Sequence, residues 1–328
     1  MKKLYVIGNG FDLHHNLDTS YKSFADFLES NYLSIYDNLL EYYGFPDIAN
    51  KDDELSHKDS MWHDFETNLS DINIDLVLEN FTDYCASPSS SDFRDSDWYS
   101  FQIEIEKVVN ELTDELFKSF KKFIQNVKYP PKIDNEAITI DKSAQFLNFN
   151  YTDTLEVFYK IPNKNILYIH GNVNHGEQAI LGHGINPKTF ELEAESIPKG
   201  LSPEKHEKWE EYMNNKYNHS YELGKYEMME YFSKSYKDTK SILMSYNIFF
   251  SDLHDIEEVI VLGHSLSTVD RDYFLEIVKY ISKNATWKVS YYSESEKESH
   301  IETLIDIGIK KNTIELIKII DLLNTKSN

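Results

Sequence analysis

The stretch LYVIGNGFDLHHNLDTSYKSF, residues 4–24, decides the fold that we predict for this chain. It begins with an apolar run that stops at Ile7, where Gly-Asn-Gly follows. A short apolar run that ends in glycines is typical of a buried strand and a tight turn. Thr19 or Ser20 is a suitable helix cap, and apolar residues recur at helical spacing beyond them until Gly44. We therefore predict a strand, a glycine turn, a polar loop and a helix.

The composition is that of a globular protein with a strong negative charge. The chain has 328 residues, 41% of them hydrophobic, and a formal net charge of -23. This length supports a large core, and the charge argues against bulk binding to nucleic acid or to anionic membranes. Cys85 is the only cysteine, which excludes an intrachain disulfide and a thiolate zinc cluster. No apolar run approaches the roughly 20 residues of a membrane span, so we expect a cytoplasmic protein.

Short apolar runs predict further strands along the chain. They lie at residues 144–149, 165–169, 178–181, 258–262 and 287–292. Helical patterns separate these runs, and we predict that one or two helices close the chain. Strands that are apolar throughout and alternate with helices are typical of a parallel sheet covered on both faces. The predicted fold class is therefore α/β, with a parallel sheet and helices on both of its faces.

The same patterns predict one core and two helical insertions. The strands fall within residues 1–20, 140–190 and 255–328, which we assign to the core. Residues 21–139 and 191–254 show helical spacing without a strand signal. We assign these two segments to large helical insertions.

Polar clusters follow four of the predicted strands. They are GNGFD (residues 8–12), NYTD (150–153), HG (170–171) and GHSL (263–266). In an open parallel sheet the carboxyl ends of the strands share one edge, and ligands bind there. We expect the four clusters to converge on one crevice.

The glycine turn after the first strand is suited to phosphate binding. Gly8 and Gly10 allow a tight turn and a close approach of the backbone to a ligand, and free N–H groups in such a turn suit a phosphate. The dinucleotide fingerprint G-x-G-x-x-G is absent, because Leu13 occupies its third glycine position. A plain connection between a strand and a loop is the alternative for this turn.

The other strand ends carry candidate catalytic and binding side chains. The amide of Asn150 can orient a ribose hydroxyl or a water, although a helix cap is the alternative. His170 is suited to general-base catalysis because the pKa of histidine lies near working pH, although a lone histidine is more often structural. Gly263 and Ser265 can contact a ribose or a phosphate, or they form an ordinary connection between a strand and a helix.

The order of these motifs resembles a known family. GNGFD, WHDFE (residues 62–66), NFNYTDTLE, IHG and GHSL follow one another over nearly the whole chain. This order resembles the AbiH family of phage abortive-infection proteins, which is itself similar to sirtuin-like NAD-binding domains. The resemblance implies an anti-phage effector with a Rossmann-like, sirtuin-like core.

The resemblance also implies a role for each matching position. Asn150 matches the residue that holds the nicotinamide ribose and a water, and His170 matches the catalytic histidine. The positions implied to bind NAD are Gly8, Asn9, Gly10, Phe11, Asp12, Tyr151, Gly263, His264 and Ser265.

This chain departs from the sirtuin pattern in two places. Thr152 stands where sirtuins and many sirtuin-like NADases have an aspartate, and Asp153 follows it. The four-cysteine zinc ribbon of the deacylases is absent, so protein deacylation is not expected. The parts that remain are those that NAD cleavage needs. The resemblance thus implies NAD as substrate or ligand, with no other cofactor and no metal required.

The implied reaction is hydrolysis of NAD at the nicotinamide–ribose bond. Departure of nicotinamide creates an oxocarbenium-like centre, as in other glycosyl hydrolyses. Asn150 would hold the ribose and a water, and His170 would accept a proton. Asp12 or Glu66 would stabilise the developing positive charge. We otherwise expect the WHDFE segment to form core and interface, with His63 and Glu66 able to reach the crevice.

Two other functions remain open. One is a metal-dependent nuclease, because three imidazoles can bind zinc and the chain offers His170, His175 and His183, which His14 and His15 could approach. The other is a module that senses NAD or a related nucleotide without chemistry. We expect activation by homo-oligomer formation or by a phage-derived trigger, no membrane partner, and no nucleic-acid partner because of the charge.

Overall fold

A parallel sheet forms the centre of the protein. The computed structural model describes residues 1–48, 58–133, 136–191, 202, 204–206, 208 and 218–323. The described strands are β1 (Lys2–Ile7), β2 (Gln145–Asn148), β3 (Ile166–Tyr168), β4 (Ile256–Leu262), β5 (Thr286–Ser290) and β6 (Ile314–Ile317). They form a six-stranded sheet in the order β3-β2-β1-β4-β5-β6, and every neighbouring pair is parallel. The predicted α/β class and its parallel sheet are confirmed.

The direction of strand addition reverses beside β1. The chain first adds β2 and β3 on one side of β1, and then returns to add β4, β5 and β6 on the other side. This is the order of the doubly wound Rossmann sheet, in which ligands bind at the carboxyl end where the order reverses. The reversal lies between β1 and β4, which are paired as far as Ile7 and Leu262.

Helices connect and cover the strands. The described helices are α1 (Asn9–His14), α2 (Tyr21–Asn31), α3 (Leu33–Tyr43), α4 (Lys58–His63), α5 (Phe65–Asn68), α6 (Ile74–Asn80), α7 (Ser100–Asn110), α8 (Leu116–Asn126), α9 (Thr154–Tyr159), α10 (His219–Lys234), α11 (Thr239–Ser245), α12 (Asn247–Ser251), α13 (Arg271–Tyr280) and α14 (Glu294–Asp306). Among the described residues, no helix combines the length and the apolar composition needed to cross a membrane.

Apolar side chains cover both faces of the sheet. Leu4 and Val6 of β1 pack in one buried cluster with residues of α13 and α14. Tyr5 and Ile7 pack in another cluster with residues of α1 and α9. Because successive side chains of a strand point to opposite faces, the unbroken apolar run of β1 reflects burial on both sides. Helices therefore lie on both faces, as predicted.

The helices of the two predicted insertions share one hydrophobic core. Phe65 of α5 and Phe101 of α7 lie in the same buried cluster as Met228 and Tyr231 of α10. We call α2 to α8, together with α10, the helical layer. Parts of both predicted insertions, at residues 49–57, at 134–135 and over most of 192–217, lie outside the described residues.

Two predictions of secondary structure are wrong. Residues 178–181 do not form a strand, because Ala179 and Leu181 are buried against the helical layer instead. Three consecutive apolar residues after Gln178 do not distinguish a strand from a buried loop. The sequence also predicts a helix where the structure has β6. Residues 314–323, IELIKIIDLL, place apolar side chains at spacings that fit either structure.

Candidate active site

The strand order brings the four polar clusters to one edge of the sheet. They follow β1, β2, β3 and β4, which are parallel neighbours, so their carboxyl ends lie side by side. We call this edge the carboxyl edge. Asp12, Asn150, His170 and His264 are all buried there.

The glycine turn after β1 is packed against the turn after β4. Helix α1 begins at Asn9, so the predicted polar loop starts as a helix. The N–H of Gly8 donates to the Leu262 carbonyl at 2.9 Å, and that of Gly10 donates to the Gly263 carbonyl at 2.8 Å. These two N–H groups therefore have protein acceptors, and the turn joins β1 to β4.

A buried carboxyl group lies beside Asn150. Asp12 is 1% exposed, and its Oδ2 accepts a hydrogen bond from the Thr152 hydroxyl at 2.5 Å. Burial raises the pKa of Asp12 to about 6, although hydrogen bonds from Thr152, Thr154 and Asn150 favour the ionised form. Its Oδ1 has no hydrogen-bond partner within the described part of the chain. We call these four residues the Asp12 cluster.

The raised pKa of Asp12 predicts a pH-dependent stability. The folded pKa is about 6 and the unfolded value is about 4, so ionisation of Asp12 costs folding free energy as the pH rises through this range. Asp12→Asn removes that cost. We expect this variant to gain about 2–3 kcal/mol relative to wild type between about pH 4 and pH 7.5.

Chemical denaturation over this pH range measures the difference. Asp18→Asn is the control, because Asp18 is an exposed residue a few positions beyond helix α1, which contains Asp12. Parallel stability curves for wild type and Asp12→Asn would contradict the prediction.

A second buried group joins the carboxyl edge to the helical layer. Lys237 Nζ lies 2.8 Å from Glu66 Oε2 and 3.0 Å from Asp270 Oδ1. The Nε2 atom of His170 lies 3.6 Å from Asp270 Oδ1, and that of His264 lies 3.4 Å from Asp270 Oδ2. The Lys237 side chain is 0% exposed. We call these five residues the Asp270 cluster.

Lys237 keeps Asp270 ionised inside the protein. Burial by itself raises the pKa of a carboxyl group, but the Lys237 ammonium and the two imidazoles together hold the pKa of Asp270 well below its usual range. Burial likewise opposes the charge of Lys237, but Asp270 and Glu66 outweigh it and raise the pKa of the ammonium. The cluster therefore contains one cation between two carboxylates.

His170 is neutral, and its Nε2 faces Asp270. Burial, and then the Lys237 ammonium, lowers the pKa of His170 well below its usual value. Nε2 has no hydrogen-bond partner among the described residues. A neutral imidazole is the form that a general base requires.

The tautomer of His264 is set by its backbone contact. Its Nδ1 accepts the backbone N–H of Leu266 at 2.9 Å. The ring proton is therefore on Nε2, which faces Asp270. Asp270 thus lies between the Nε2 atoms of two imidazoles.

The remaining predicted NAD-binding residues have varied surroundings. Asn9 exchanges hydrogen bonds with Thr19, and Phe11 is fully buried beneath the sheet. The hydroxyl of Tyr151 donates to a backbone carbonyl, and its ring packs in the core of the helical layer. Ser265 is exposed at the carboxyl edge. Of these four, Ser265 is the side chain that solvent reaches most readily.

The WHDFE segment contributes one charged group to the site. Trp62 and Phe65 are buried, which confirms that the segment forms core. Glu66 reaches Lys237, and its other oxygen accepts the Tyr21 hydroxyl at 2.5 Å. His63 is exposed.

The histidines of the predicted nuclease alternative lie in different environments. His175 is paired with a carboxylate of α9 at 3.1 Å. His183 is buried among aromatic rings, and His15 bonds to a tyrosine hydroxyl at 2.5 Å. Within the ranges that the structure describes, no three His, Cys, Asp or Glu side chains are arranged to hold a metal. These histidines therefore do not form the zinc site that the nuclease alternative needs.

The sequence-based predictions of site residues do not include Lys237 or Asp270. Lys237 lies in a charged, helical stretch in which no pattern distinguishes one lysine from another. Asp270 directly precedes α13, shortly after the carboxyl end of β4. Because ligands bind at the carboxyl ends of such strands, this position could have identified Asp270 as a candidate site residue.

The comparisons with known proteins place the chain in a family. A family model described as "Bacteriophage abortive infection AbiH" matches residues 4–291. The matched range contains the Asp12 cluster, the Asp270 cluster and the helical layer. The comparisons with curated proteins and with solved structures gave no match. Because the family model spans most of the chain, from β1 to beyond β5, this protein belongs to the AbiH family of bacteriophage abortive infection proteins.

Proposed function

We propose that this AbiH protein hydrolyses NAD, between nicotinamide and ribose, at the carboxyl edge of its sheet. The observation that carries the proposal is the buried, neutral His170, whose Nε2 has no hydrogen-bond partner among the described residues. His170 shares Asp270 with His264, which follows β4. The reversal of strand order beside β4 is where doubly wound sheets bind nucleotides.

The charges of the two clusters suit this reaction. Nicotinamide leaves with the electron pair of the C–N bond, and the ribose carbon gains positive charge. Buried carboxylates stabilise such a charge, and Asp12 and Asp270 lie on the carboxyl edge. A water then bonds to the ribose carbon, and its proton passes to Nε2 of His170. The products are neutral nicotinamide and ADP-ribose.

The surroundings of Asn150 support its proposed role in holding the ribose and the water. Its Nδ2 donates to the Gly8 carbonyl at 3.1 Å, which fixes the amide between β1 and β2. Thr152 stands where sirtuin-like proteins have an aspartate, and its hydroxyl donates to Asp12. The carboxyl group of Asp12, on α1, thus lies beside Thr152, where those proteins have their aspartate.

The burial of the site suggests how the proposed activity is restrained. Asp12, Asn150 and His170 are 1%, 5% and 2% exposed, so NAD reaches them only when the surrounding segments move. Continuous hydrolysis of NAD would damage the cell that makes the protein. We therefore propose that the closed site is the resting state, and that assembly of several copies or a phage-derived trigger opens it.

The proposal predicts release of nicotinamide from NAD. We expect nicotinamide release, measured by proton NMR, to be slow with the purified resting protein, and we expect the NAD content of phage-infected cells to fall. His170→Ala and Asn150→Ala should lower both effects by about 100-fold or more. His175→Ala and Asn174→Ala are matched controls, because both residues are exposed and lie outside the two clusters.

The outcomes separate the three functions. Release that is insensitive to EDTA and lost in both variants supports NAD hydrolysis. Release that EDTA abolishes would favour a metal-dependent reaction. Saturable binding of NAD without release, both in vitro and in infected cells, would favour a nucleotide sensor and contradict the proposal.

A further inference from the structure

Asp270 lies between two imidazoles and one ammonium. We propose that Asp270 positions His170 and His264 for proton transfer, and that Lys237 holds Asp270 in place. The inference deepens the proposed NAD hydrolysis and rests on it for the reaction that is catalysed. It also assigns a role to both helical insertions, because Glu66 lies in the first and Lys237 in the second.

The two carboxylate oxygens of Asp270 have separate partners. Oδ1 lies 3.0 Å from Lys237 Nζ and 3.6 Å from His170 Nε2. Oδ2 lies 3.4 Å from His264 Nε2, and the Ser267 hydroxyl donates to it at 3.4 Å. Because groups from different segments hold the two oxygens, the carboxylate is fixed in orientation.

The backbone around Lys237 is anchored to the GHG sequence at residues 182–184. The N–H of Lys237 donates to the His183 carbonyl at 2.9 Å, and the N–H of His183 donates to the Ser235 carbonyl at 3.0 Å. A Cβ at Gly182 would collide with the Ser235 carbonyl oxygen, two residues before Lys237, so a glycine allows this close approach. The proposed reaction assigns no role to residues 182–184. In the present inference these residues hold the backbone of Lys237, whose ammonium contacts Asp270.

This arrangement suits a base that is neutral at rest. The positive charge that forms on His170 when Nε2 takes the water proton lies 3.6 Å from Asp270 Oδ1. Opposite charges at such a distance in a buried site stabilise each other. Before proton transfer, Lys237 opposes protonation of His170 and Asp270 favours it. Asp270 acts through His170 and is therefore a positioning residue.

Other titratable groups face Asp270 and His170 from the surrounding elements. They are Glu66, Lys237, His264, Tyr21, Tyr151 and Tyr273. Burial raises the pKa of each of these tyrosines, so they stay neutral near physiological pH. Of the carboxylates and the ammonium, Lys237 and Asp270 are the charges that shift the pKa of His170.

Asp270→Asn tests the positioning role through kinetics. We expect kcat for nicotinamide release to fall about 100-fold or more, with KM changed less than about threefold, because the amide keeps the shape and removes the charge. Asp272→Asn is the matched control. Asp272 lies on α13, two residues after Asp270, and its carboxylate accepts the Thr239 hydroxyl of α11 at 2.9 Å. Circular dichroism checks folding, and Asp270→Glu replaces the Asn variant if that variant unfolds. A kcat within about threefold of wild type would overturn the inference.

A second measurement needs no NAD and reports on His170 directly. Lys237→Met removes the cation that opposes protonation of His170, so the pKa of His170 should rise, a change visible by NMR of 15N-histidine protein. Adding Asp270→Asn to this variant should lower that pKa again. An identical titration with and without Asp270→Asn would show that Asp270 does not act on His170. Should wild type release no nicotinamide, either in vitro or in infected cells, the proposed function fails and this titration still decides the role of Asp270.

Discussion

Gly263→Ala is expected to lower the free energy of unfolding by about 3 kcal/mol or more, because its new methyl group would meet the backbone of the turn after β1. Gly263 has a left-handed backbone conformation, with φ 66°. A Cβ at this position would lie 2.7 Å from the Gly10 Cα, which is too close unless the backbone moves. The left-handed conformation itself costs a residue with a Cβ about 1–2 kcal/mol. Displacement of the junction between β1 and β4 adds to that cost.

Gly44→Ala isolates the conformational part of this loss. Gly44 ends α3 with φ 70°, and a Cβ there has nothing within 4 Å. We therefore expect Gly44→Ala to cost only about 1–2 kcal/mol. Urea denaturation of wild type and both variants measures the difference. Equal losses would show that the close approach of Gly263 to Gly10 contributes nothing to stability.

Lys237→Met is expected to cost about 3–5 kcal/mol of stability near pH 8, because it leaves buried carboxylates without their cation. Lys237 is 0% exposed and contacts both Glu66 and Asp270. In wild type the low pKa of Asp270 gives stability that is present above pH 4 and lost below it. Without the ammonium that pKa rises, and ionisation of Asp270 becomes a cost. The difference from wild type should therefore shrink as the pH falls from 8 towards 5.

Two further variants show whether this loss comes from the buried charges. Lys279→Met removes a lysine that is 59% exposed and paired with Glu276 on a helix surface, and we expect it to cost less than about 1 kcal/mol. Adding Glu66→Gln and Asp270→Asn to Lys237→Met removes the unpaired charges and should restore part of the stability. Denaturation curves at several pH values measure all of them. A loss in Lys237→Met that is independent of pH and is not restored would point to packing instead of charge.

The elements that the sequence predicts correctly have local causes. The apolar runs of β1 and β4 and the helical spacing after Ser20 each lie within a short window, and burial on both faces of a sheet or one face of a helix produces them. The motifs that led to AbiH are local too, and the family model confirms that prediction over residues 4–291. Similarity to sirtuins stays a prediction. The strand predicted at residues 178–181 and the helix predicted in place of β6 are wrong because three apolar residues in a four-residue segment fit more than one structure.

The sequence likewise predicts some residues of the candidate site and not others. Asn150 and His170 are visible in the sequence because each follows a strand in a polar cluster. The partners that surround them are not visible. Lys237 lies 171 positions from Glu66 and 33 from Asp270, and no short-range pattern connects the three residues.

Strand positions, the α/β class and the identity of the polar clusters follow from the order of residues, since periodicity and turn chemistry act between near neighbours. The tertiary structure alone decides how those clusters are used. It places the N–H groups of Gly8 and Gly10 against the turn after β4, and it sets which nitrogen of His264 carries the proton. It also puts Lys237 between two carboxylates. These features depend on burial and on partners from distant parts of the chain, because both the pKa of a group and its hydrogen bonds respond to whatever lies within a few ångströms.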